Sequence, residues 1–182
     1  MALELAVDWR IDNILEAIIL MLPAMIANAT PVVAGGRRPV DMGVVLPDGR
    51  RLLGDGKTIE GLLAGFAAGS AAGVLAALAS GNMLLAVHSP AIALGALAGD
   101  MAGSFVKRRL GIERGRPAPL LDQLDFYLGA LAVSIALGYT WTPRVAVEAA
   151  AAVLLLHLAA NITAYLLGLK KVPWLEHHHH HH

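Results

Sequence analysis

Apolar residues in this sequence come in blocks about 20 long, the length that crosses a hydrocarbon core roughly 30 Å thick. This constrains the fold more than any motif, because a segment immersed in lipid must satisfy its own backbone polar groups. Five such blocks are readable, at roughly 14–34, 60–79, 84–106, 124–141 and 145–168. Composition agrees: 57% of residues are hydrophobic and 15% charged, where a soluble domain carries about a quarter charged. The expected fold is an all-α integral membrane protein of five transmembrane helices, one domain over residues 1–174. Residues 175–182, "LEHHHHHH", are a vector-derived expression tag.

Two long polar loops, 35–59 and 107–123, and two short ones, 80–83 and 142–144, separate the blocks. The first long loop holds Arg37, Arg38, Arg50, Arg51 and Lys57; the second holds Lys107, Arg108, Arg109, Arg114 and Arg116. The short loops hold only Arg144. The positive-inside rule therefore places both long loops in the cytoplasm and the N-terminus outside, and Lys170 and Lys171 in the tail agree. In the first loop, "VVLPDGRRLL" predicts a short β-hairpin around Pro47-Asp48-Gly49. Without the tag, 13 acids face 14 bases (Glu176 leaves with the tag), a balance that argues against a nucleic-acid binder. The chain has no cysteine, which excludes disulfide and thiol chemistry.

Charge inside an apolar block is the next signal. Asp100 lies in the third block, where an acid costs several kcal/mol unless paired, hydrated or bound to a cation. Its alternatives are a salt bridge to Lys57 or Lys107, or a functional site. Asp122 and Asp125 open the fourth block three residues apart, sharing a helical face that suits either a hard cation or N-terminal capping. "GDGKTIEG" is not a nucleotide-binding P-loop, since the glycine required at position 51 is Arg51. Lys57 and Thr58 nonetheless sit where a helix begins, a place that favours phosphate, and Glu60 is placed to orient Lys57 or reach a metal. Lys107, Arg108 and Arg109 close the third block above Asp100, either as membrane anchors or as phosphate clamps. Ser104, four residues after Asp100, shares its face. Acids with Mg²⁺ and basic clamps on one side are the equipment of phosphoryl transfer.

Other positions read both ways. Pro23 and Pro31 break the hydrogen-bond ladder within the first block, with Asn28 and Thr30 either satisfying freed backbone or lining a polar pocket. Asn161 is similarly open, and Glu16, His88 and His157 read as interfacial or buried groups. The small-residue runs of the second and third blocks predict close helix packing, with Gly99 and Gly103 packing or making room for an anionic ligand.

The run "GDMAGSFVKRRLGI…LLDQLD" and the element "GKTIEG" together resemble the signature of CDP-diacylglycerol synthases (phosphatidate cytidylyltransferases). The whole pattern, including "LPAMIANATPVV" and "RRPVDMG…DGRRLLGDGKTIEG", is similar to their archaeal branch, the CDP-archaeol synthases. The resemblance implies a transferase that passes CMP from CTP to a lipid phosphate and releases pyrophosphate. The implied lipid is an isoprenoid ether lipid phosphate, unsaturated digeranylgeranylglyceryl phosphate. Asp100, Asp122 and Asp125 would hold one or two Mg²⁺ ions, and Lys57, Thr58, Glu60, Ser104, Lys107, Arg108 and Arg109 would hold the phosphates. Expected partners are CTP, the lipid substrate and membrane lipids; a homodimer is left open. The rival reading is an ion- or proton-coupled transporter using Asp100, which would spread polar residues toward both faces.

Overall fold

The computed structural model describes residues 9–113 and 118–166. The described residues form five helices: α1 (Ile14–Ala34), α2 (Ile59–Ser80), α3 (Met83–Arg109), α4 (Pro119–Ala136) and α5 (Pro143–Leu166). Among the described residues, α1, α2 and α3 are long and apolar enough to cross a membrane. The fourth is 18 residues long and has aspartates at positions 122 and 125 near its start. Arg114, Arg116, Lys170 and Lys171 lie outside the described residues, as do the side chains of His157 and Asn161.

Small residues decide the packing. Gly61, Gly65, Gly69 and Gly73 recur every fourth residue and are all buried, so one face of α2 is bare backbone. Against it lie Pro31, Ala27 and Pro23 of α1. A Cβ on Gly65 would come within 2.6 Å of the Ala27 carbonyl oxygen. That carbonyl is the one whose helical donor would have been the N–H that Pro31 lacks. The helix nevertheless runs unbroken through both prolines, over the 14–34 block read from the sequence. Thr30 turns inward on its own helix, its hydroxyl donating to the Ile26 carbonyl at 2.7 Å.

The same device joins α3 to α4. A Cβ on Gly95 would meet the Gly129 carbonyl at 2.8 Å, and one on Gly99 would press into the Asp125 carbonyl. Phe126, Tyr127 and Ala130 are buried in the core that α4 shares with α1 and α3. Outward-facing Val32, Val33, Leu63, Leu75, Val87 and Leu155 stay exposed, the arrangement lipid solvates without penalty.

Alternating helix direction gives the bundle two distinct ends. At one, the last residues of α1 and α3 meet the first of α2 and α4. At the other, a two-residue strand β1 (Arg10–Ile11) pairs in parallel with β2 (Thr140–Trp141), in register Arg10 to Thr140. The sequence read Leu137 to Trp141 as helix, but α4 stops at Ala136. Gly138 turns with φ +101°, and the chain leaves the helix to pair with β1.

Candidate active site

Lys57 is presented by a tight local frame. The turn Gly54–Lys57 closes with the Lys57 N–H on the Gly54 carbonyl (3.3 Å), while the Lys57 carbonyl accepts from the Val40 N–H (2.7 Å). Thr58 then caps α2: its hydroxyl oxygen accepts from the Gly61 N–H at 3.1 Å and donates to the Gly35 carbonyl at 3.1 Å. Both capacities of that hydroxyl are thereby engaged, stitching the end of α1 to the start of α2. From this frame the Lys57 ammonium reaches both Asp100 oxygens, Oδ1 at 2.7 Å and Oδ2 at 2.5 Å. Both side chains are about three-quarters or more buried.

A second pair stands beside the first. Lys107, in the last turn of α3, bonds Asp122 Oδ1. The other oxygen of Asp122 accepts from the Ala118 N–H at 2.9 Å, at the cap of α4. Capping and charge pairing thus coexist in one carboxylate. Asp125, one turn on, is 6% exposed and seats against α3 where Gly99 and Gly103 have no side chains. The space beside those glycines is occupied by Asp125, not left open for a ligand. Asp125 Oδ1 accepts from its neighbour's N–H, that of Phe126, at 2.7 Å, and Oδ2 is buried with no hydrogen-bond partner. Asp100, Lys107 and Lys57 all lie within electrostatic reach of it. Ser104 is buried in the turn after Asp100.

The remaining sequence candidates are engaged in structure. Glu60 pairs with Arg38, Oε1 to Nε at 3.0 Å, and not with Lys57. Arg109 forks onto both oxygens of Asp48 at 2.7 Å, donates to the Arg51 carbonyl at 2.6 Å and stacks over Phe105. Arg50 answers from the other side, donating to the Arg109 carbonyl at 2.6 Å. These bonds fasten the first loop to the end of α3. Arg108 runs beside Gly54, close to the Lys57 turn. Within the loop, Val45 and Arg51 form an antiparallel bridge around Pro47-Asp48-Gly49.

Sequence reasoning passed over Asp41. Its side chain is fully buried beneath the loop, bonded to Arg51 Nη2 at 2.6 Å. Burial alone would raise its pKa, but Arg51 and the backbone N–H groups of Gly54, Leu53 and Gly43 hold it well below the carboxylate range. For Asp48, desolvation is likewise outweighed, by the Arg50 N–H and the Arg109 guanidinium, and its pKa is lowered. The only sequence signal was an acid two residues after proline in a strongly basic loop.

Three converging carboxylates were expected for a metal. Among the described residues, no three Asp, Glu, His or Cys side chains form such a group. The reason is local: Lys57 neutralises Asp100 and Lys107 neutralises Asp122, so each turns toward its lysine. What suits a hard cation is the unpartnered, buried oxygen of Asp125 with Asp100 in reach. Mg²⁺ commonly takes one or two carboxylates and completes its shell with water and substrate phosphates.

A family model described as CarS-like, CDP-archaeol synthase, matches residues 10–174. The CDP-archaeol synthase of Methanopyrus kandleri is 51% identical over 156 residues, covering 85% of this chain and 90% of that protein. That of Hyperthermus butylicus is 48% identical over 161 residues, 88% of this chain and 96% of its own. That of Methanocaldococcus jannaschii is 40% identical over 172 residues, 85% and 93% respectively.

Proposed function

The chain belongs to the CDP-archaeol synthase family, and on that premise we propose that its charged end transfers CMP from CTP to unsaturated digeranylgeranylglyceryl phosphate. The observation that carries the reading is the double pairing Lys57–Asp100 and Lys107–Asp122 around the unpartnered Asp125 oxygen. Largely buried ion pairs seldom add stability over apolar packing. Two of them flanking an unsatisfied carboxylate suit a site that exchanges partners when an anionic substrate and a cation arrive.

In the reaction, a lipid phosphate oxygen attacks the α-phosphorus of CTP. The bond from that phosphorus to the β-bridging oxygen breaks, and pyrophosphate leaves with both electrons. A phosphate monoester is nucleophilic at neutral pH, so no side-chain base is required. Attacker, electrophile and leaving group are all anionic, which makes charge neutralisation the main catalytic term. Lys57 and Lys107 release their carboxylates and bind phosphate oxygens, one from each side of the cleft. Asp125, with Asp100 and Asp122 freed in the exchange, would hold Mg²⁺, which supplies Lewis-acid neutralisation of the triphosphate. The α2 N-terminus adds its dipole beside Lys57. Arg109 and Glu60 keep the loop in place.

The five helices span the membrane with the N-terminus outside and this end on the cytoplasmic side, where CTP is available. The transporter alternative does not stand beside the family membership, and these charged pairs collect at one end, not along a through-path.

The test is incorporation of label from α-³²P-CTP into digeranylgeranylglyceryl phosphate by the purified protein, with chelation and Mg²⁺ add-back. Wild-type protein is expected to label the lipid only with the divalent cation present, and Asp125→Asn to lose labelling while still eluting as a folded species. Undiminished labelling by Asp125→Asn would remove that residue from the site.

A further inference from the structure

The first loop contains a charged centre that the transfer reaction does not touch. Asp41 lies with its side chain fully buried in a segment of only 24 residues between α1 and α2. Its Oδ2 accepts the N–H groups of Leu53 (3.0 Å) and Gly54 (2.9 Å) and Arg51 Nε (3.3 Å). Its Oδ1 accepts Arg51 Nη2 (2.6 Å) and the Gly43 N–H (3.2 Å). All five donors belong to the same loop. In a segment too short for an apolar core, a carboxylate does the organising.

The two strips that Asp41 joins are the two that hold the Lys57 backbone. Val40, its immediate neighbour, donates to the Lys57 carbonyl, and Gly54, which donates to Asp41, accepts the Lys57 N–H. Arg51 extends the brace to Asp55 at 2.7 Å, inside the same turn. Lys57 is a flexible stem bearing a point charge, so its reach to Asp100 depends on where its backbone is fixed.

We propose that Asp41 is a positioning residue for the transfer reaction, fixing the Lys57 turn so that the ammonium is aimed into the cleft. The proposal rests on the reading that Lys57 acts on a substrate phosphate. Asparagine cannot substitute for the carboxylate. Its amide offers one acceptor oxygen and turns two donors toward the Leu53 and Gly54 N–H groups or the Arg51 guanidinium.

A double-mutant cycle on the full chain in lipid nanodiscs separates positioning from general support of the fold. The kcat/KM for CTP, with digeranylgeranylglyceryl phosphate as acceptor, is measured for Asp41→Asn, Lys57→Gln and the pair. Asp41→Asn is expected to lose about tenfold and Lys57→Gln about a hundredfold, with the pair within about twofold of Lys57→Gln alone. A pair that multiplies both losses, or an Asp41→Asn protein as fast as wild type, overturns the positioning role. A Lys57→Gln protein at the wild-type rate instead overturns the reading of Lys57, and the proposal with it. Should Asp41→Asn not fold, Arg51→Gln removes one brace and leaves the backbone bonds, and is expected to show the same coupling with a smaller loss. Amide exchange gives a second readout: Leu53, Gly54 and Lys57 exchange faster in Asp41→Asn but not in Lys57→Gln.

Discussion

The two ends of this bundle solve the same problem with different chemistry. At the strand end, Trp9, His88 and Tyr139 stack within 5.5 Å of one another, and the Tyr139 hydroxyl meets His88 Nδ1 at 3.0 Å. Trp141 Nε1 finishes the closure by donating to Ser134 Oγ at 2.9 Å. Rings with one polar tip each bury area and satisfy that tip locally. At the opposite end, closure is by charge: Lys57–Asp100, Lys107–Asp122 and Arg109–Asp48 cross from one element to another. The aromatic end would serve any membrane bundle. The charged end retains pairs that apolar packing could often replace without loss of stability, which fits the substrate exchange proposed for it.

The comparison breaks first if the ends respond alike to mutation. Lys57→Ala or Asp100→Asn should reduce CMP transfer by about 10² to 10³-fold, measured by lipid labelling, while Tyr139→Phe leaves the rate unchanged. Next comes the seat of Asp125. Gly99→Ala places a methyl group against the Asp125 carbonyl, which is backbone and cannot step aside. It should destabilise the α3–α4 contact by about 1–3 kcal/mol, seen as a lower Tm, with transfer falling as well. Exposed Gly81, around which a Cβ would meet nothing, makes a poor control because its φ of +74° strains any side chain.

Smaller effects sharpen the picture. Arg109→Gln removes the fork to Asp48 and should raise the KM for CTP by about fivefold with little change in kcat. Tyr139→Phe should lower stability by about 1 kcal/mol or less, visible only in thermal unfolding. The smallest expected response is to pH. Asp41 has a folded pKa below its unfolded value, so its stabilisation is complete above the ordinary carboxylate pKa and is lost as pH falls through the lower folded one. Protection of the Leu53 and Gly54 amides, corrected for intrinsic exchange, should therefore stay level from about pH 8 to about pH 5.

What the sequence disclosed follows from the same contrast. Asp100, Lys57, Asp122 and Asp125 stood out because charge within or beside an apolar block is conspicuous, and the structure brings them to one end of the bundle. Asp41, Asp48 and Arg50 did not, because acids and arginines are ordinary in a polar loop, and the partners of Asp48 and Arg50 lie up to 61 residues away. Glu60 was read, from its place in the sequence, as orienting Lys57 or reaching a metal, whereas it pairs with Arg38. The end of α4 was misread because Leu137, Tyr139 and Trp141 were taken to continue the apolar run across Gly138 and Thr140. Hydropathy cannot distinguish one more helical turn from a strand docked on β1. The glycines were read correctly as packing devices at α2. At Gly99 and Gly103 only the fold could show that Asp125 fills the gap.

The claim beneath all of this is that CTP binds at the charged end. Photo-crosslinking with an azido-CTP, followed by peptide mass spectrometry, tests it most directly. Adducts are expected within residues 53–61, 100–109 and 118–125, competed away by CTP. Adducts confined to residues 9–16, 80–88 or 137–144 would contradict it.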